Sequence, residues 1–526
     1  MRWLPPLRAN KEASMTEQLA LLPEYLTAHL QLTLTALAFS ILISVPAGIV
    51  ATRVYWLERF ALSLASVVQT IPSLALLALM VPVLSALELQ SIGILPALIG
   101  LTLYGVLPIL RNTVTGLTGI DPQIKEAARG VGMTPQQQLM AVELPLAMPM
   151  IIAGIRTATV WTVGIATLST PIGATSLGNY IFSGLQTRNY AAVLVGCIAA
   201  AGLALSLDGL VRSIETSITA QSRRRLLVTL AFIIMLFAYA SITVVRPFGE
   251  EAQRPIIIGA KTFTEQYILS EALSEWIEQE TGRRTTLMQS LGSIVAFDAL
   301  SEGDLDVYVD YSGTIWANEM ARTRLGASRS EVLSEVRQFL ETEHNISLAA
   351  VLGFENSYAL AVRAQDARRL GLRTISDLTR HADNLAIGGD YEFFVRPEWG
   401  LLQEQYELLF NEQRTMDPAL MYQAVAAGNV DVISAFSSDG RISSYELEIL
   451  EDDQNAIPPY DAIVLVGSRL VQETPSIISV LSTLNNTIDA NRMRELNLQV
   501  DERGHSPRTV ALTYIDQLRD TVTESR

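Results

Sequence analysis

Cysteine is nearly missing from this chain. Cys197 is the only one and lies in an apolar run, so no disulfide can staple the fold and no thiol pair exists for redox chemistry. Residues 251–526 have none, which suits an oxidising exterior. Lysine is almost as rare: Lys11, Lys125 and Lys261 are the whole set, and they follow Asn10, Ile124 and Ala260. A phosphate-cradling P-loop needs Gly-Lys-Ser/Thr, so none of the three can complete one. The four histidines, His29, His344, His381 and His505, are scattered without metal-ligand spacing. Residues 251–526 contain no Gly-x-Ser-x-Gly elbow. The expectation is a chain that is not an enzyme, with no metal and no cofactor of its own. No apolar run follows the basic residues of MRWLPPLRANKEAS, so a cleavable signal peptide is not expected, and Met15 is an alternative start.

What is present is unevenly spread. Residues 1–250 hold 15 Lys+Arg and 11 Asp+Glu, whereas residues 251–526 hold 23 and 43. So acidic a second half disfavours nucleic acid as a partner. It attracts cationic or zwitterionic ligands at long range, and it equally serves solubility. The first half has six apolar stretches near 29–51, 61–84, 93–111, 146–168, 190–210 and 226–245. Each approaches the ~20 residues that a bilayer core requires. Basic residues cluster between them: Arg53 and Arg59, then Arg111, Lys125 and Arg129, then Arg212 and Arg223 to Arg225. Placing these loops in the cytoplasm gives one threading. Residues 1–28 are then outside, 216–250 form a cytoplasmic link and a sixth span, and 251–526 are extracytoplasmic. The plasma (inner) membrane of a prokaryote is the expected location. Arg156 and Asp208, near span ends, are expected to snorkel. With so few charges inside, ion-driven transport has little to work with.

Between the third and fourth stretches the chain turns polar. Asp121 and Pro122 suit the start of a short helix, as N-cap and first helical residue. Gly132 suits its end, where a positive φ is needed. Residues 126–145 read EAARGVGMTPQQQLMAVELP. Glu126-Ala127-Ala128, Gly132 and Leu144-Pro145, at this spacing, resemble the EAA loop of ATP-binding-cassette import permeases. VVQTIPSLALLALMVPVL and IGILPALIGLTLYGVLPILRNT are also similar to that family's membrane subunit. The resemblance implies a type I permease over 29–215, working as a homodimer among membrane lipid. It implies a coupling loop over 121–145, in which Glu126, Ala127, Ala128, Arg129 and Gly132 seat on a separate cytoplasmic ATPase. The alternative is a ligand-gated channel or a transmembrane sensor with an outer receptor domain. A channel would show a polar pore and a sensor an output domain, neither of which is legible here.

After Pro255, IIIGAKTFTEQYILSEALSEWIEQETG reads as a buried strand, a turn and an amphipathic helix with Thr264 as a capping-type residue. DLDVYVDYSGT, LAIGGD and DVISAF read as further strands among helices. The alternation predicts an α/β domain with mainly parallel sheets. Two lobes with a ligand between them are expected: lobe one over 255–355 and 462–526, lobe two over 356–461, with crossings near Asn356 and Tyr460. The whole is therefore an α-helical membrane domain of about six transmembrane helices joined to a bilobed α/β domain.

GAKTFTEQYIL, YVDYSGT, GFENSYALAV, SSDGRI and PPYDA look like strings of the binding proteins for glycine betaine, choline and carnitine, and of the related ergothioneine receptors. The resemblance implies a type II binding-protein fold and a small quaternary-ammonium solute. Such a cation has no N–H to donate, so aromatic faces suit it better than carboxylates. Residues 251–526 supply ten tyrosines and three tryptophans. Tyr311, Tyr358, Tyr422 and Tyr460 are the candidate rings, with Phe436 where the family often has tyrosine. Core packing with a satisfied hydroxyl is the alternative for each tyrosine. Donors for a ligand carboxylate are expected from Thr262, Thr264 and Gln266 in the first strand-to-helix turn, with Thr314 in the second string. Arg396 is the candidate bidentate clamp, or else a surface arginine. Asp310 and Asp439 either contact a ligand hydroxyl or imidazole-thione ring, or cap turns.

Overall fold

The structure is a computed structural model describing residues 7–524 except 88, 188, 221, 246–253, 323–325 and 391. The start of the expected segment 1–28 and the expected boundary at 250/251 thus lie outside the described residues. The chain divides into two compact units, one built on Glu17–Phe182 and Ala191–Ala252, the other on Gln253–Arg526.

The first unit is helical. Among the described residues, four helices are long and apolar enough to cross a membrane: Leu19–Ala51, Ile94–Thr118, Pro135–Ile172 and Tyr190–Ile218. The stretch expected as one span over 61–84 is instead a bent pair, Trp56–Thr70 and Ser73–Ser85, meeting at 100°. Pro72 sets the break, because the residue before a proline is driven out of the α region, and Ile71 is extended, with ψ of 128°. If that pair is one span, the count is five. The expected sixth falls on the helix Arg223–Val245, which is not among these; its side chains beyond Tyr239 lie outside the described residues. Arg156 does not snorkel alone. Its Nε and Nη2 form a fork on Asp208 at 2.9 and 3.1 Å, and its Nη1 reaches Glu215 at 3.1 Å. Mutual pairing lowers the cost of keeping the three charges at a half-buried position.

The second unit contains two five-stranded sheets. The first uses β1 (Ile256–Lys261), β2 (Thr285–Leu291), β3 (Val307–Tyr311), β4 (Ser347–Glu355) and β10 (Asp461–Val466) in the order β2-β1-β3-β10-β4. The second uses β5 (Tyr358–Arg363), β6 (Ala386–Gly389), β7 (Glu412–Thr415), β8 (Val432–Phe436) and β9 (Leu447–Ile449) in the order β7-β6-β8-β5-β9. The chain passes from the first sheet to the second between Glu355 and Tyr358 and returns between Ile449 and Asp461. Both sheets are mixed rather than mainly parallel. β1 pairs β2 and β3 in parallel, as β6 pairs β7 and β8, but β10 and β5 are antiparallel to their neighbours. The two reversed strands are those the chain enters on arriving from the other lobe, so each runs against strands fed by local crossovers. The inner strand β10, DAIVLV, is buried at every residue, the pattern of a strand covered on both faces. Ile258, Val309 and Val464 of the first sheet pack with Leu269, Leu273 and Ile277 of the helix Thr264–Thr281.

Candidate ligand-binding site

The strand ends bring aromatic residues of both lobes together. Tyr311 ends β3, Phe436 ends β8, and Tyr358 begins β5 directly opposite Phe436 in the antiparallel register. Phe263, in the turn after β1, stacks on Tyr311 with 6.1 Å between ring centroids. It also stacks on Phe436 at 6.0 Å, with planes only 8° apart. Phe436 then meets Tyr358 at 5.1 Å, and Tyr358 meets Phe393 at 5.1 Å. One row of rings thus runs from the first lobe into the second, at the strand ends where open α/β sheets bind ligands. Phe263 and Phe436 are only half-buried, unlike Tyr311 and Tyr358.

Arg396 lies beside this row. It precedes the helix Pro397–Tyr406, and its guanidinium carbon stands 5.4 Å from the centroid of Tyr358. Its Nη2 donates to Glu392 at 2.5 Å, but Nε and Nη1 are buried with no hydrogen-bond partner among the described residues. Burial opposes the charge, but the neighbouring carboxylates of Glu392 and Glu398 favour it, and the net direction is upward. Tyr460 donates its phenol to Glu398, whose Oε2 is buried and unpartnered. Asp390 caps the turn Phe393–Val395 by accepting from the amides of Glu392 and Phe393, and its Oδ2 is likewise left over. Burial pushes the Asp390 carboxyl up. It also pushes the phenols of Tyr311, Tyr358 and Tyr460 well up, so all three stay protonated. The arrangement offers rings to a soft cation, two guanidinium nitrogens without a hydrogen bond to a carboxylate, one of them 4.0 Å from Glu398 Oε1, and two carboxylate oxygens without a hydrogen bond to N–H groups.

The other sequence candidates are occupied elsewhere. Tyr422 is fully buried, and the Arg441 guanidinium already covers its face at 4.2 Å. Asp439 is held by that same arginine, with Nη2 at 2.5 Å. Asp310 receives Lys261 Nζ and the Tyr308 phenol, both at 2.5 Å. Gln266 donates to Val309 O at 3.0 Å and to the Tyr311 phenol oxygen at 3.1 Å, so it braces a ring rather than facing solvent. Thr264 is not the helix cap; Phe263 occupies the N-cap position, and the Thr264 hydroxyl donates to Asp501 at 2.6 Å. Thr262 lies half-buried in the turn before Phe263, and Thr314 is buried in the short helix Ser312–Thr314. Sequence reading missed Phe263, Glu398, Asp390 and the buried Glu265. Phe263 carried a signal, since it sits inside one of the quoted strings.

In the first unit, Asp121 caps the helix Pro122–Gly130 by accepting from Gln123 N at 2.9 Å, with Pro122 at its start. Gly132 follows with φ of +85°, and Thr134 opens the next helix with a capping box. Glu126, Ala127 and Arg129 are exposed on this helix and Ala128 is buried. Ile124, Val131 and Met140 also stand exposed on this segment.

Two family descriptions match the two units. Residues 44–220 match the inner membrane component of binding-protein-dependent transport systems. Residues 254–517 match the substrate-binding domain of ATP-binding-cassette glycine betaine transport systems. The chain belongs to the family of ATP-binding-cassette import permeases fused to a binding domain of this glycine betaine type. Over 474 residues it is 31% identical to an ergothioneine transport permease/ergothioneine binding protein of Helicobacter pylori strain G27, spanning 88% of this chain and 84% of that one. The permease half is 39% identical over 198 residues to the choline transport system permease of Bacillus subtilis strain 168, covering 38% of this chain and 88% of that protein. The binding half is 29% identical over 273 residues to the carnitine transport binding protein of Listeria monocytogenes 10403S, covering 51% and 88%.

Proposed function

We propose that this chain captures and translocates a quaternary-ammonium zwitterion, with the trimethylammonium group against the row Tyr311–Phe263–Phe436–Tyr358 and the carboxylate on Arg396. The observation that carries this reading is the pair of buried Arg396 nitrogens beside the Tyr358 ring, Nε and Nη1, that make no hydrogen bond among the described residues, Nη1 standing 4.0 Å from Glu398 Oε1. A buried donor left unsatisfied is costly, and a carboxylate matches the fork in geometry and charge. Cation–π attraction supplies the other end, at about 0.5–2 kcal/mol per well-placed ring. Ergothioneine ranks first among the candidates, ahead of glycine betaine and carnitine. Its ring N–H is the kind of donor that Glu398 Oε2 and Asp390 Oδ2 lack. Choline, without a carboxylate, ranks last.

Energy comes, on this reading, from a separate cytoplasmic ATPase dimer seated on the exposed face of the helix Pro122–Gly130 of two permease copies. The binding domain works outside the membrane, and its tether keeps local receptor concentration high without a free soluble receptor.

Calorimetric titration of the full chain in lipid nanodiscs with the four solutes tests this. Arg396→Ala is expected to weaken ergothioneine and glycine betaine by about tenfold or more and to spare any residual choline affinity. Glu398→Gln is expected to weaken ergothioneine alone. Equal loss for choline would sink the role of Arg396; binding of none of the four would sink the solute class.

A further inference from the structure

Glu265 sits in the first turn of the helix Thr264–Thr281, where a glutamate on an amphipathic helix is expected to face water. Instead it is buried, with 2% of its surface exposed. Its Oε1 accepts from the Tyr311 phenol at 2.5 Å and from Asn356 Nδ2 at 3.1 Å. Its Oε2 accepts from Ser438 Oγ at 2.6 Å and from Asn497 Nδ2 at 3.3 Å. These donors come from the end of β3, the first crossing between sheets, the turn after β8 and the helix Ala490–Asp501. Together they fill the acceptor capacity of a carboxylate. Burial pushes the carboxyl up, and the four donors offset only part of that rise.

Two of the donors bear on the ligand row. Tyr311 is its first ring, and Ser438 lies two residues beyond Phe436, its ring from the other lobe. The turn 437–440 is seated on the helix Ala490–Asp501: Arg494 Nε donates to Ser437 O at 3.1 Å and Asn497 Nδ2 to Ser438 O at 3.0 Å. At Gly440 an added Cβ would lie 3.0 Å from the backbone nitrogen of Leu498, so a side chain there would push the two segments apart by a few tenths of an ångström.

We propose that Glu265 is the positioning residue of the binding site: without touching the ligand, it fixes the Tyr311 ring of one lobe against the Phe436–Ser438 turn of the other. No other side chain of its size accepts from donors on all four sides. Glutamine accepts on two and turns its own N–H groups toward the remaining two donors. The proposal rests on the ligand reading above, and its test separates the two.

The full chain in nanodiscs is compared as wild type, Glu265→Gln, Ser438→Ala, Tyr311→Phe and the Tyr311→Phe/Ser438→Ala double variant. The probes are ergothioneine and glycine betaine, read with the thermal midpoint and hydrogen exchange of the unliganded protein. Glu265→Gln and Ser438→Ala are each expected to weaken binding about tenfold. Amide exchange should quicken across 436–440 and stay unchanged in the first unit. The double variant is expected to lose less than the product of its singles, since both bonds act through one carboxylate. Ser438→Ala removes one arm and keeps the carboxylate, so it decides the matter if Glu265→Gln fails to fold. Wild-type affinity in Ser438→Ala with normal exchange overturns the proposal, as does strict multiplicativity of the singles. If the wild type binds neither probe, the ligand reading fails on its own, and unchanged exchange in the variants still refutes the positioning role.

Discussion

Phe263 stacks on rings from both lobes, Tyr311 and Phe436. Replacing it with alanine removes two stacking contacts and one ligand-facing surface. Phe263→Ala is therefore expected to cost about 1–2 kcal/mol of binding for any trimethylammonium solute. Titration measures this, and an affinity within about twofold of wild type would remove Phe263 from the site. Asp501 supplies a second residue-scale prediction. Burial pushes its carboxyl up to about 7, with Arg441 pulling down and Asp439 pushing up. A carboxyl whose folded pKa lies above its unfolded one binds more protons folded than unfolded, so stability falls as pH rises from about 4 toward 7. Thermal midpoints should be higher at pH 6 than at pH 8, and Asp501→Asn should flatten that slope; a slope unchanged in the variant refutes the assignment. Legibility at this scale followed locality. The strand-end positions of Tyr311 and Tyr358 were legible because both lie inside distinctive strings, and that of Phe436 because it directly precedes one. Tyr422, Asp439 and Asp310 could not be set aside in advance, because Arg441 and Lys261 claim them only once the chain has folded. Glu265 was invisible because helical periodicity assigns a glutamate to the solvent face.

At the level of elements, local signals were read well and long-range ones were not. The Asp121–Pro122 start and the Gly132 turn follow from backbone chemistry alone, and both are in place. The bend at Pro72 was not expected, although the proline was a local signal for it; its 100° size depends on packing that a sequence does not display. The mixed sheets were missed for a similar reason: strand direction depends on which lobe the chain arrives from. One contact beside the coupling loop lends itself to measurement. Glu143, buried where the loop re-enters the helix Leu144–Ala166, accepts from Arg53 at 2.7 Å and from Gln138 at 2.6 Å. It ties the loop to the turn after the first span. On the proposed reading, Glu143→Ala is expected to leave solute affinity unchanged and to lower solute-stimulated ATP hydrolysis severalfold once an ATPase is reconstituted, since the loop loses two anchoring bonds, one of them to the exposed Arg53. Full coupling in that variant would show that the loop is held by other means.

The whole molecule joins a near-neutral helical unit to a strongly acidic α/β unit in one polypeptide, and composition alone placed that division. If the working unit is a permease dimer, titration should saturate at one solute per chain and two per dimer; a single site per dimer would require the two binding domains to exclude each other. Covalent joining also has a consequence for inheritance and dosage. If the pore works with its own binding domain, as proposed, receptor count and pore count rise together, and a change of solute has to be written into the same gene that encodes the pore.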